Sequence, residues 1–246
     1  MSFWEYLILF LTVILGGVAA LYLRKYSRTS LQLLLSFSGA YILGITVLHL
    51  IPGVFSGQPS PTIGLWVILG FLVQLGLEQL SIGVEHGHVH AHHKASASFA
   101  LQLMLGLCLH AFIEGLPLES YPELHQLQHG SGHEHNHLLF GIILHKIPAA
   151  FALVVLLILS GYRQIFVIFC LIVFAAMSPL GALFSSILPA EVAVFQALTA
   201  IVIGSFLHIS TTILFEADVT RQHKISAKRM LIILAGFGMA LLTLVI

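Results

Sequence analysis

The sequence predicts an all-α integral membrane protein with eight transmembrane helices. Three observations carry this. The chain is 58% hydrophobic and only 8% charged, with mean hydropathy +1.01, whereas a soluble domain carries about 25% charged residues. Its apolar residues form continuous runs rather than the alternation of a membrane β-barrel. Its basic residues recur in every second connection. At roughly 20 apolar residues per span, a chain of this length holds about eight.

The runs fall at 3–23, 31–50, 62–82, 97–117, 138–160, 164–187, 191–215 and 228–246. Breakers separate them: Pro52-Gly53, Gly57 to Pro61, the polar stretches 83–96 and 119–136, Gly161 and Pro189. The first run lacks a basic leader and a small-residue cleavage site, so it reads as a span rather than a signal peptide. Cys108 and Cys170 both lie inside apolar runs and read as packing residues rather than a disulfide. The eight spans form one transmembrane domain, residues 1–246.

Orientation follows from charge. Arg24, Lys25 and Arg28 lie between spans 1 and 2, Lys94 between 3 and 4, Arg163 between 5 and 6, and Arg221, Lys224, Lys228 and Arg229 between 7 and 8 or at the very start of 8. The positive-inside rule places these connections in the cytoplasm and both termini outside. Residues 83–96 are then a cytoplasmic His-rich loop containing His86, His88, His90, His92 and His93. Residues 119–136 are an extracytoplasmic one, whose His cluster, with His129, His133, His135 and His137, runs on to the start of span 5. Clustered imidazoles bind zinc or copper readily, so both read as weak metal-capture segments without fixed geometry.

Ionisable residues within spans are expensive and therefore functional candidates. His110 and Glu114 in span 4 are four apart and share one helix face. Span 5 carries His145 and Lys146, followed by Pro148. Two imidazoles and a carboxylate suit zinc and its neighbours while leaving coordination open, as release of a transported ion requires. His49 and His208 read either as interhelical hydrogen-bonders or as pathway residues. Glu78 reads either as a side chain reaching the headgroups or, with Lys146 and Ser178, as a pathway residue. Pro148 frees the carbonyl of Leu144, Pro117 frees that of Ile113, and Pro179 is expected to break span 6.

These motifs resemble the ZIP (Zrt/Irt-like) metal transporters. His110-Ala-Phe-Ile-Glu114-Gly115-Leu116 is similar to the family's span 4, and His145-Lys-Ile-Pro148 to its span 5. Phe37 to Gly44 with Leu48 to Pro52 resembles span 2, Ser178-Pro-Leu-Gly-Ala182 span 6, and Gly204-Ser-Phe-Leu-His208 span 7. The resemblance implies two helix bundles, with inverted-repeat symmetry between spans 1–3 and 6–8. It also implies alternating access, frequent homodimers, and metal movement toward the cytoplasm. His110, Glu114 and His145 match the ligands of a first metal site. At the second site the family's usual ligands are replaced by Ala111, Lys146, Ala149 and Ser178. The resemblance thus implies a single-metal site, with the Lys146 ammonium in place of a second ion and paired to Glu114.

The function expected is uptake of a divalent transition metal, zinc by ligand type. The ion is bound as substrate, and no cofactor is expected. The alternative is a membrane metal sensor or buffer. An intramembrane hydrolase would want a His-Glu-x-x-His helix, which the sequence lacks. The expected partners are the metal ion, the bilayer and a second copy of the chain, not nucleic acid. The short connections point to a bacterial inner membrane.

Overall fold

The computed structural model describes residues 1–22, 28–56, 61–84, 96–119, 137–188, 191–216 and 226–244. Every regular element among them is helical. In lipid the backbone must satisfy its own polar groups, and a helix does so within a single segment. In order these are α1 (Phe3–Tyr22), α2 (Arg28–Ile45), a π-helical turn (Thr46–Leu50), α3 (Ile51–Phe55), α4 (Pro61–Ser81), α5 (Ala97–Gly115), α6 (His137–Leu159), α7 (Gln164–Ser185), α8 (Val192–Glu216) and α9 (Ala227–Leu242). Seven helices among the described residues are long and apolar enough to cross a membrane. The eighth, α9, has 16 residues. It rises about 24 Å, against a hydrocarbon core of roughly 30 Å.

Three local features depart from the sequence reading. Span 2 does not end before Pro52; it continues through the π-turn and α3 to Phe55. Proline lacks a backbone donor and crowds the carbonyl four residues back. The chain relieves this with one wide turn, in which the Ile51 N–H bonds to the Thr46 carbonyl. Span 6 does not break at Pro179: α7 runs through it from Gln164 to Ser185, as α6 runs through Pro148. Lys228 and Arg229 are not loop residues but the first turn of α9, which Ser226 caps by accepting from the Arg229 N–H.

The helices sort into two bundles by packing. α1, α5, α6 and α7 form one, and α2, α4, α8 and α9 the other, joined mainly where α4 meets α5 and where α2 meets α6. The most extensive pairings are α4 with α8, α1 with α6, α2 with α9, and α5 with α7. Exchanging α1, α2 and α4 for α7, α8 and α9, and α5 for α6, maps this set onto itself, the relation an inverted repeat requires.

Close approach through small residues sets the packing, as expected where lipid supplies no hydrophobic drive between helices. A Cβ on Gly115 would lie 2.2 Å from the Ser178 carbonyl oxygen, and one on Gly181 2.1 Å from that of Phe112. Between α4 and α8, a Cβ on Gly70 would lie 2.0 Å from the Ile201 oxygen, and one on Gly204 2.0 Å from that of Val67. The outer surface is apolar, with Leu65, Ile68, Leu101, Ile165, Phe169 and Leu231 exposed, while the polar residues point inward. Arg229 shows the inward rule at its most costly. It is buried against Ser36 and donates to the carbonyls of Ile213 and Leu214 in the last turn of α8, where unsatisfied acceptors and the helix dipole favour a cation.

Gly70→Val should overpack the α4–α8 contact at a cost of about 1–3 kcal/mol. Gly76→Ala on the same helix, where a Cβ meets open space, should melt like wild type. Thermal unfolding in detergent checks this, and equal melting of the two variants would refute the close-contact account.

Candidate metal site

The three residues singled out for metal converge. His110, Glu114 and His145 each place a donor atom within 4.8 Å of the others. His110 and Glu114 follow one another up a single face of α5, with Nε2 and Oε1 3.0 Å apart. His145 comes from α6, its ring 5.9 Å from that of His110 and nearly perpendicular to it, at 87°. All three are sealed from solvent, at 1%, 0% and 1% exposure. Zinc holds such donors at about 2.0–2.2 Å, so modest side-chain rotation brings all three onto one ion.

Lys146 completes the site from α6. Its Nζ lies 2.7 Å from Glu114 Oε2 and 5.1 Å from the centre of the Phe174 ring. The carboxylate is therefore divided: Oε2 serves the ammonium and Oε1 faces His110. A buried carboxylate alone would be too costly to keep charged; a paired and oriented one is not. Ser178, on α7, gives its hydroxyl hydrogen to the Ala111 carbonyl at 2.8 Å. It ties α7 to α5 where Gly115 and Gly181 let the helices approach.

The other spans' polar residues are used between helices. His208 on α8 contacts the Glu78 carboxylate on α4, with Phe71 edge-on to its ring at 4.9 Å. Glu78 thus reaches a partner helix, not the headgroups. His49, within the π-turn, meets Thr243 Oγ1 at 2.7 Å. His86, His88, His90, His92, His93, His129, His133 and His135 lie outside the described residues, and His137 enters only as the first residue of α6.

Two residues went unnoticed in the sequence. Gln74 is 1% exposed; its Oε1 lies 2.9 Å from His110 Nδ1 and accepts from Ser205 Oγ at 3.0 Å. The signal was faint but present: Gln74 is four residues before Glu78, and Ser205 three before His208, so each shares a helix face with its acidic or basic neighbour.

The described residues thus form a many-spanning helical protein with a dry imidazole–carboxylate cluster between its helices. The family described as ZIP Zinc transporter matches residues 78–244. The chain belongs to this family of membrane proteins that move divalent metal. It is also similar to the protein named "Zinc transporter SLC39A7" of Rattus norvegicus, at 37% identity over 83 residues, covering 26% of this chain and 18% of that protein. The chain thus matches less than a fifth of that relative's length.

Lys146→Met should destabilise the protein by about 3–5 kcal/mol, because Glu114 is left buried and unpaired. Adding Glu114→Gln should restore most of that loss. A double-mutant cycle on melting temperature measures the coupling, and simple additivity would refute the ion pair.

Proposed function

We propose that the protein takes up zinc toward the cytoplasm by alternating access, one ion at a time, on His110, Glu114 and His145. The observation that carries this is the convergence of these three donors with Lys146 at a point sealed from water. Two imidazoles and one carboxylate oxygen leave room for water or a departing ligand, so the ion is cargo rather than a structural fixture. Lys146 occupies the space of a second ion. With neutral imidazoles, its positive charge cancels that of Glu114, so the loaded site keeps the ion's full charge. Such a site releases its ion more readily than one with surplus carboxylates would.

A donor set with no route to water loads only if something moves. The donors belong to the bundle of α1, α5, α6 and α7, and the other bundle closes over them at the α4–α5 and α2–α6 contacts. Rocking of one bundle against the other exposes the site to each side in turn. Both termini are extracytoplasmic in this reading, and the protein resides in a bacterial inner membrane as a homodimer. The His-rich segments, residues 86–93 and 129–137, raise the local zinc concentration at the two mouths. A sensor or buffer that binds zinc without moving it is the second reading, favoured by the cation at Lys146 and the replaced second-site ligands.

Purified protein in liposomes should show saturable zinc entry that His110→Ala abolishes, followed with a zinc-responsive dye inside the vesicle. Zinc binding in detergent without entry in wild type would overturn transport in favour of the sensor.

A further inference from the structure

We propose that Gln74, held by Ser205, is a positioning residue that sets the tautomer of His110 from the opposite bundle. The proposal rests on the reading of His110 as a metal ligand. His110 belongs to α5, whereas Gln74 and Ser205 belong to α4 and α8 of the facing bundle. The Gln74 carbonyl oxygen receives the Ser205 hydroxyl hydrogen at 3.0 Å. The structure thus presents the amide oxygen, not the amide nitrogen, to both Ser205 and His110. That oxygen is an acceptor and has no hydrogen to give. The atom facing it at 2.9 Å, Nδ1 of His110, must therefore carry the hydrogen.

A neutral imidazole has one N–H. With it on Nδ1, the lone pair of a metal-binding His110 is on Nε2, the atom 3.0 Å from Glu114 Oε1. Without an ion, a proton between these two atoms makes so short a contact favourable, and the ion takes that proton's place. The nitrogen of His110 that would bind the ion is thus turned toward the other ligands. Partners of this kind raise ligand basicity and hold ring orientation, and losing one costs roughly 10- to 100-fold in metal affinity. Here the partner lies across the bundle interface. Sliding of the bundles that separates α5 from α4 also removes the support for His110, so the same motion that opens the site weakens it.

The test compares Gln74→Met, Gln74→Glu and Ser205→Ala with wild type, using zinc alone as probe. Equilibrium zinc binding in detergent and the KM and maximal rate of liposome uptake are measured, with each variant's melting temperature as the folding control. The chain used carries Asn in place of the histidines of the two His-rich segments. Gln74→Met removes the acceptor and should weaken zinc binding and raise KM roughly 10-fold or more. Gln74→Glu keeps an acceptor and should restore the affinity. Ser205→Ala should weaken binding in the same direction by a smaller factor. If Gln74→Met does not fold, a fall in affinity in Ser205→Ala with recovery in Gln74→Glu supports the role, and unchanged affinity in Ser205→Ala overturns it. Wild-type zinc affinity in a folded Gln74→Met also overturns it, as does a lower melting temperature with unchanged affinity. A failure of transport is separate: binding would still track Gln74 in a protein that moves no zinc. If His110→Ala leaves zinc affinity intact, the ligand assignment itself falls.

Discussion

The structure depends on one constraint: a carboxylate can be kept charged inside a membrane only if other groups hold it there. Glu114 is fully sealed, and Lys146 is the group that holds it. Much of the surrounding packing serves that pairing. Gly115 and Gly181 bring α7 against α5, which sets Phe174 under the ammonium and Ser178 against the Ala111 carbonyl. The pair then leaves one carboxylate oxygen for the ion. Charge that would otherwise be a penalty becomes an oriented carboxylate, the donor that the proposed function assigns to zinc.

The two bundles contribute differently. One carries all three donors and the lysine. The other presents neutral acceptors and hydroxyls, Gln74 and Ser205, to the site, and one helical turn away along α4 it makes its own Glu78–His208 contact. Arg229 secures that second bundle by satisfying the last carbonyls of α8. One bundle satisfies its own polar groups while the other carries the candidate donors, an arrangement consistent with the rocking motion of the proposed function.

Much of this was legible in the sequence, for physical reasons that differ by element. The helices were legible because lipid demands long unbroken apolar runs; the differences fall mainly at prolines, an early stop at Pro52 and an expected internal break at Pro179. Pro52 and Pro179 look like stops in water, but a buried helix can run through them by adjusting a turn locally. His110 and Glu114 were legible because a spacing of four on a helix is itself a contact. His145 and Lys146 stood out as ionisable groups in an apolar run, yet their meeting with α5 depended on glycine contacts that no local pattern announces. Gln74 escaped because an amide in a span is polar without being ionisable. Its role is visible only once Ser205 and His110 arrive from two other helices. Arg229 escaped because a basic residue near a span end normally faces the headgroups.

The central claim is that a single zinc ion sits on two imidazoles and one carboxylate between α5 and α6. X-ray absorption at the zinc edge tests it most directly, on protein whose His-rich segments have been replaced and which is loaded with one equivalent of zinc. The account predicts a nitrogen and oxygen shell at about 2.0–2.1 Å, with outer scattering from two imidazoles that falls to one in His145→Ala. A spectrum unchanged by His145→Ala, or one dominated by sulfur, would contradict it.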